Sequence, residues 1–378
     1  MLHILDAQTM ASKATHPVTN PSRLAYDTKR GQLWCALRSS WQPSGKGDMA
    51  HDTIALIDPI TGASSGCNVT SIVRVMSLSY HAASDSLVVS DGGTRQQVFI
   101  VDAATCATRE AVGEEGGVFS GSTPGKMGAM RFYGPTGAGM DANGSLYVVS
   151  GGGRAEQGGL VRGGGTNMVK LSRASNGAAW ELQWQRLGLT FTDMAGLDPV
   201  DPAHMYSRNY KFRTNFSAPL GQGSFFTAQA YTLDPFRYPD DPRLHLDPTE
   251  MTVRNIQSGA SSTKLMFGWD MYASYLAGWR LIDGIDIAVP CVLFGRAVAS
   301  QHPDPPPWPS VEMGALNYSD WVWADANEDG AMQPEEFSAV EHSLNGWAWA
   351  VDSTGAVWNA FNFETYTPGN GRGWGGVN

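Results

Sequence analysis

The apolar positions of this chain lie in short runs that end in polar turns. Three runs share one ending, in which apolar strand residues are followed by Asp, two small or turn-forming residues and Thr; they are His3–Thr9, Leu56–Gly62 and Ile100–Thr105. An aspartate in this position can accept hydrogen bonds from the backbone of its own turn, and the threonine can close it. The pattern therefore predicts strands that end in Asx-type turns.

A second pattern, interleaved with the first, is typical of a strand, a polar turn and a returning strand. It occurs at Leu24–Trp34, Leu78–Val89, Gly139–Val149, Ala195–Tyr206 and Trp349–Trp358. Several of the turns carry Asn-Gly or another glycine, which is a hairpin signal. Equivalent positions 27, 81, 141 and 198 are 54, 60 and 57 residues apart. A repeat of this length predicts the blades of a β-propeller, enlarged by loop insertions.

Composition supports many short strands rather than helices. Charged residues make up 16% of the chain, and there are 44 Gly and 21 Pro among 378 residues. A helical bundle would need more Glu, Lys, Leu and Ala, whereas glycine- and proline-containing turns suit an all-β fold. We therefore predict an all-β fold, a β-propeller of about five to seven blades that forms a single domain over residues 1–378.

The segment Phe132–Val149 carries the pattern P-x-G-x-x-x-D-x-x-G-x-x-Y-V almost whole. In this respect the chain resembles secreted β-propeller proteins of the NHL and YVTN type. The resemblance is strongest over residues 1–175 and 345–362. The first residues match the middle of a repeat, which indicates a mature or truncated piece of a longer protein.

Residues Asp325–Glu336 match the pattern D-x-[DN]-x-[DN]-G-x5-E of an EF-hand calcium loop. Calcium takes several oxygen ligands at flexible distances, and alternating acidic and amide side chains can bring theirs to one point. The predicted Ca²⁺ ligands are Asp325, Asn327, Asp329, Ala331 through its carbonyl, Gln333 and Glu336. Gly330 would allow the sharp turn, and Pro334 would begin a short helix. A strand-like stretch, Asp320–Trp323, precedes the loop, so we predict a structural rather than a signalling calcium site.

The EF-hand-like insertion is predicted to span residues 320–343. The chain resembles bacterial and algal proteins that place such a segment inside an NHL-like chain, followed by a strand pair similar to Gly346–Trp358. These relatives are mostly secreted, so the resemblance implies an extracellular or cell-surface location. An extracellular location would keep a calcium loop of modest affinity occupied.

Charge and hydropathy limit the kinds of partner that the chain is expected to bind. The formal net charge is −10 and no basic cluster occurs, which argues against a nucleic-acid partner. No apolar stretch is long enough to span a membrane, and no signal peptide is visible at the N-terminus. The four cysteines, Cys35, Cys67, Cys106 and Cys291, fit no zinc pattern, and both disulfides and buried free thiols stay open.

Catalytic signatures are missing. The sequence contains neither GxSxG nor HExxH, and its eight histidines are scattered, so turn or core roles are the expected ones for them. Near the calcium loop, tryptophans lie at alternating positions that favour core packing over sugar stacking; they are Trp321, Trp323, Trp347, Trp349 and Trp358. In a secreted eukaryotic protein the predicted N-glycosylation sites are Asn68, Asn143, Asn215 and Asn317, whereas in a bacterial protein these sequons have no meaning.

These patterns favour an extracellular, calcium-stabilised propeller that acts as a non-enzymatic binding or structural scaffold. It would serve an assembly or associate with glycans, and its partner would be a protein, a carbohydrate or further copies of the chain. The alternative is a hydrolase or lyase for sugars or lactones, with Asp and His side chains at a central channel.

Overall fold

The computed structural model describes residues 1–39, 51–67, 69, 72–151, 166–175, 177–188, 193–219, 226–258, 260–295, 320–340, 344 and 348–360. Over these ranges the chain forms 26 β-strands, and the only helical elements are short 3₁₀ turns. No helix in the described part of the chain has the length and apolar character needed to cross a bilayer.

Three four-stranded sheets follow a two-stranded one in the first half of the chain. The two-stranded sheet is β1 (Leu2–Leu5) and β2 (Ser12–His16). The first four-stranded sheet is β3 (Pro21–Asp27), β4 (Gln32–Leu37), β5 (Thr53–Ile57) and β6 (Ser64–Cys67). The second is β7 (Val75–His81), β8 (Ser86–Asp91), β9 (Val98–Asp102) and β10 (Thr108–Val112). The third is β11 (Pro135–Met140), β12 (Leu146–Ser150), β13 (Asn167–Ser172) and β14 (Glu181–Leu187).

The second half continues the series. The fourth sheet is β15 (Gly196–Leu197), β16 (His204–Ser207), β17 (Tyr210–Thr214) and β18 (Phe226–Tyr231). The fifth has six strands: β19 (Glu250–Ser258), β20 (Ser261–Trp269), β21 (Leu276–Leu281), β22 (Ala288–Gly295), β23 (Trp321–Ala324) and β24 (Phe337–Ala339). A final pair is β25 (Ala348–Val351) and β26 (Val357–Ala360).

Within every sheet each strand pairs antiparallel with the next strand in the chain. Up-and-down sheets of four strands are the blades of a propeller, so the all-β, propeller-type fold is confirmed. The contacts divide the chain into two compact units, one holding β1–β14 and the other holding Gly121–Met127 with β15–β26. The single domain over residues 1–378 stays a prediction.

The predicted aspartate turns form as expected. In each, the carboxylate oxygen Oδ1 accepts hydrogen bonds of 2.7–3.0 Å from the backbone N–H groups two and three residues later. The threonine hydroxyl then accepts from the residue two positions further on. These turns belong to Asp6, Asp58 and Asp102, and each ends in a residue of positive φ: Met10, Gly62 and Cys106 respectively.

The hairpins of the second pattern carry a link that the sequence did not suggest. The turn aspartate uses one oxygen for backbone N–H groups and the other for an aromatic side chain on the returning strand. The three pairs, each 3.1 Å long, are Asp27 with Trp34, Asp141 with Tyr147 and Asp352 with Trp358. Each hairpin is thereby fixed at both its turn and its second strand.

The core of the first unit lies between its sheets. The second sheet is apolar on both faces, because alternate residues of β8 and β9 point to opposite sides. Leu87, Val89 and Phe99 pack with Trp34 of the first sheet. On the other face, Val88, Val98 and Ile100 pack with Leu146 and Val148 of the third sheet. This stacking explains why β8 and β9 are apolar runs without alternation.

Tryptophans and one disulfide complete the buried structure. Trp321, Trp323 and Trp349 are buried, which agrees with a packing role, whereas Trp358 is 40% exposed and Trp347 lies outside the described residues. Cys67 on β6 is bonded to Cys106 in the turn after β9, which joins the first and second sheets. Cys35 and Cys291 are free thiols.

A buried ion pair connects the segment after β18 to the fifth sheet. Arg243 and Asp241 have side chains 1% and 0% exposed, and their charged atoms are 2.7 Å apart. The Arg243 guanidinium also donates to the Thr232 hydroxyl (2.8 Å) and lies over the Trp279 ring. The Trp279 indole N–H donates to the Asp241 carboxylate (3.1 Å). Every partner of this pair is therefore itself buried or bonded.

Candidate functional site

The segment Asp325–Glu336 connects β23 to β24, two neighbouring strands of the fifth sheet. It is entered from a strand, as predicted. The Asp325 N–H donates to the Cys291 carbonyl on β22 (3.0 Å), which fixes the start of the segment to the sheet. The segment leaves through a single 3₁₀ turn, Pro334–Glu336, with proline in the first turn. The predicted short helix is thus one turn long.

The turns of this segment are held by its own side chains. The Asp325 carboxylate accepts from the backbone N–H groups of Asp329 (3.1 Å) and Gly330 (3.0 Å). The Asn327 amide oxygen accepts from the same Asp329 N–H (3.0 Å), and the Asp329 carboxylate accepts from the Ala331 N–H (2.7 Å). Alternate residues therefore fold their oxygens back over the loop.

Two residues anchor the segment to the fifth sheet. Gly330 has a φ of +74°, and a β-carbon there would lie 2.7 Å from the Tyr238 ring, so only glycine fits. Met332 is 3% exposed and packs in the core cluster of the fifth sheet. The predicted role of Gly330, a sharp turn, agrees with this geometry.

Glu336 reaches back to the start of the segment. One of its carboxylate oxygens accepts from the Ala326 N–H (3.0 Å), and the other accepts from the Trp323 indole N–H (2.9 Å). The last predicted ligand therefore lies against the first turn, which closes the segment on itself.

The donor set fits a hard cation. All its side-chain donors at the predicted positions are oxygens of carboxylates or amides, the ligands that calcium prefers. The amide nitrogens of Asn327 (3.2 Å) and Gln333 (2.8 Å) both point at one oxygen of Asp329. Gln333 Oε1 is buried and lacks a hydrogen-bond partner among the described residues. Rotating the Gln333 amide would turn its unpartnered oxygen toward the Asp329 oxygen, so that both could contact one cation.

The carboxylates are not gathered as ligands in this structure. Across the described ranges, no three His, Cys, Asp or Glu side chains are grouped as a metal site. The Ca²⁺ ligands therefore stay a prediction; they are Asp325, Asn327, Asp329, Ala331, Gln333 and Glu336.

A positive charge from a neighbouring strand faces the first of these residues. Arg280, on β21, donates a charge-assisted hydrogen bond to the buried Asp325 carboxylate. The guanidinium is 14% exposed, and it balances a negative charge that would be costly to bury alone. A divalent ion at the loop would share or replace this partner.

A cleft with a volume of about 320 Å³ lies within the second unit, beside the turns of the fourth and fifth sheets. Asp198 and Asp201 enter it from the β15–β16 turn, and residues 282–286 enter it from the β21–β22 turn. Lys211 on β17 and Lys264 on β20 complete the charged lining. Because Arg280 and Leu281 end β21, the turn that lines the cleft follows directly on the strand that contacts Asp325.

The charges in the cleft are mostly paired. Lys264 lies 2.7 Å from an Asp198 oxygen, and Lys211 lies 3.0 Å from an Asp286 oxygen. Burial alone would raise the pKa of Asp198, but hydrogen bonds from Lys264 and two backbone N–H groups outweigh it and lower that pKa. Burial, together with the nearby Asp198 charge, raises the pKa of the Tyr206 phenol, which stays a protonated donor.

His204 is the histidine of the cleft. Its Nδ1 lies 2.9 Å from an Asp201 oxygen, and its Nε2 lies 2.9 Å from the Gln229 amide oxygen. Both ring nitrogens are therefore engaged. Elsewhere, His16, His51 and His81 each bond a backbone carbonyl, which agrees with the turn and core roles expected of them.

The structure describes two of the four predicted glycosylation sites. Asn143 lies exposed in the turn between β11 and β12, and Asn215 lies exposed after β17. Asn68 and Asn317 lie outside the described residues. Glycosylation of the four asparagines stays a prediction.

No family profile matches the chain, and no curated protein matches it. Similar solved structures include the nidogen/laminin complex (11% identity, 74% of this chain and 84% of that chain, TM-score 0.31). Others are a protein from Lactobacillus plantarum (12%, 95% and 84%, 0.32) and a dihydro-heme d1 dehydrogenase (8%, 95% and 66%, 0.32).

Structural similarity as weak as this indicates nothing about activity. The fold is therefore assigned from the strand pairings of the chain itself. These pairings place the chain among proteins of the β-propeller type, a fold that serves binding and catalysis alike.

Proposed function

We propose that this chain is an extracellular propeller-type protein that calcium stabilises and that binds a partner without catalysing a reaction. The observation that carries the proposal is the segment Asp325–Glu336. Its side-chain oxygens fold over the loop, its glycine and methionine fasten it to the sheet, and its donor chemistry suits Ca²⁺. The proposal includes a relationship between this chain and β-propellers of the NHL type.

The Cys67–Cys106 disulfide supports an extracellular location. Disulfides form and persist in oxidising compartments and are rare in the cytosol. The same environment supplies the calcium that a structural loop of modest affinity needs.

The cleft supports binding rather than catalysis. A general base needs a ring nitrogen that can reach the substrate, and both nitrogens of His204 are engaged. The two lysines are ion-paired, so neither offers a free amine as nucleophile. What remains is a set of fixed donors and acceptors around a recess, which is the composition of a binding site.

One observation favours the alternative of a sugar or lactone hydrolase or lyase. Asp201 and His204 form a carboxylate–imidazole pair beside a cleft, and such a pair becomes a base if the Gln229 contact opens. Turnover of aryl glycosides or simple lactones that His204→Ala abolishes would establish this function instead.

Calcium is expected to raise the thermal stability of the wild-type protein. An ion held only by the folded state at about 100-fold above its Kd stabilises by about 2.7 kcal/mol, a shift of several degrees in Tm. Asp329→Ala and Glu336→Gln should remove this shift, because each deletes a carboxylate ligand. Differential scanning calorimetry in calcium and in chelator measures it.

The matched control is Glu335→Gln, which removes an exposed charge next to Glu336 without removing a predicted ligand. This variant should keep the calcium shift. Equal melting of the wild-type protein in calcium and in chelator would end the proposal of a calcium-stabilised fold.

A further inference from the structure

Apolar side chains of the β21–β22 turn line one side of the charged cleft. Ile282 is 46% exposed. Leu281 and Ile285, on either side of it in the chain, are half-buried and line the same cleft. Single exposed apolar residues are ordinary, but three lining one recess give its charged centre an apolar side.

The charge left over in the cleft is negative. Lys264 and Lys211 neutralise Asp198 and Asp286, and the Asp201 carboxylate contacts the His204 ring. Asp283 lies exposed beside Ile282 and, within the described residues, has no ion-pair partner. A partner with a positive charge would therefore meet an unneutralised carboxylate at the rim.

These two features match one kind of side chain. Lysine and arginine carry a long apolar stem that packs on aliphatic surface and a charged end that reaches a carboxylate. A stem lying on Ile282 would place the charge near Asp283, and a flanking apolar residue could pack on Leu281 or Ile285. Such alternation of apolar contact and charge complementarity is typical of protein interfaces.

We propose that this cleft is a docking site for a segment of a partner protein that presents a lysine or arginine beside an apolar residue. The inference rests on the proposed function, since it names the partner chemistry of a non-enzymatic binding protein. The net charge of −10 over the whole chain favours the same basic partner during encounter.

Other occupants fit less well. Nucleic acid and free anions would be repelled by the unneutralised carboxylate. A second divalent cation would compete with Lys264 and Lys211, which already hold the Asp198 and Asp286 carboxylates. A neutral saccharide would find hydrogen-bond groups but would leave the apolar rim and Asp283 without a role.

The test uses end-capped peptides immobilised through a biotin tag. Four peptides share the sequence Gly-Ser-Leu-X-Leu-Ser-Gly and carry Lys, Arg, Met or Glu at X. Biolayer interferometry with the full chain should give binding about tenfold tighter for the Lys and Arg peptides than for the Met and Glu peptides. Raising the salt to about 0.5 M should reduce this preference, since exposed charges are screened.

Charge reversal at the rim tests the assignment to the cleft. Asp283→Lys should abolish the preference for basic peptides. Asp193→Lys is the matched control: Asp193 is also an exposed aspartate, but it precedes β15 and does not line the cleft. This control should keep the preference, although it changes the net charge equally.

The results that would contradict the proposed docking site differ from those that would contradict the calcium site. Equal binding of all four peptides, no binding of any, retention of saccharides instead, or equal losses in both variants would each overturn the basic-partner assignment. Because calorimetry tests the calcium loop separately, failure of the peptide test alone leaves the calcium-stabilised scaffold standing. Loss of the calcium shift alone would overturn calcium stabilisation and not the binding role on which the docking site rests.

Discussion

Arg243→Met is expected to lower the free energy of unfolding by about 3–5 kcal/mol, the usual cost of removing one partner of a buried ion pair. The Asp241 carboxylate would stay fully buried and would lose the charge that faces it at 2.7 Å. The Thr232 hydroxyl would lose a donor, and the Trp279 ring would lose the cation above it. Urea unfolding, followed by circular dichroism, measures the loss.

Two further variants make this expectation specific. Arg186→Met changes an exposed arginine on β14 to the same residue and should alter stability by less than about 0.5 kcal/mol. Arg243→Lys keeps the charge but lacks the planar fork of donors, so its loss should be intermediate. If Arg243→Met unfolded at the same urea concentration as Arg186→Met, the buried pair would carry no net stability.

Loss of the Cys67–Cys106 disulfide is expected to cost about 3–4 kcal/mol. The bond closes a loop with a sequence separation of 39 residues, and opening it restores the freedom of that loop in the unfolded chain. The variant Cys67→Ser/Cys106→Ser should therefore unfold at lower denaturant than the wild-type protein.

A reductant provides the internal control. It should lower the stability of the wild-type protein to that of the double variant and should leave the double variant unchanged, because the remaining thiols, Cys35 and Cys291, are unbonded. Four reactive thiols in the unreduced, denatured wild-type protein would contradict the bond.

The turns could be predicted from the sequence because their chemistry is local. Asp6, Asp58 and Asp102 bond N–H groups two and three residues away, so every partner lies within the motif itself. The hairpins were visible for the same reason. Their recurrence predicted repeated sheets, although it could not show that the fifth sheet extends to six strands.

The candidate cleft could not be predicted, because its partners are distant in the chain. Asp198 was noticed only as a turn residue, yet it bonds Lys264, which lies 66 positions further on. Likewise, Lys211 bonds Asp286 over 75 positions. No periodicity relates such residues; they meet because the fourth and fifth sheets pack together. The position of His204 in a repeat hairpin was the one available signal.

The geometry of the predicted calcium segment could be predicted from the sequence only in part. Its strand entry and glycine turn follow from local pattern and agree with the structure. The contact between Arg280 and Asp325 did not follow, since it depends on β21 ending beside the loop. A contact between residues distant in the sequence thus supplies the positive charge that compensates Asp325, the first predicted ligand.

The bond between Cys67 and Cys106 makes a covalent ring of the residues between them, and this ring includes β7, β8 and β9. A protease that cuts once inside it opens the ring but releases no fragment. The nicked chain would migrate as one species until it is reduced, and its severed strands would stay tethered within reach of their sheet. A protein built in this way would survive a cut that would divide an unbridged chain.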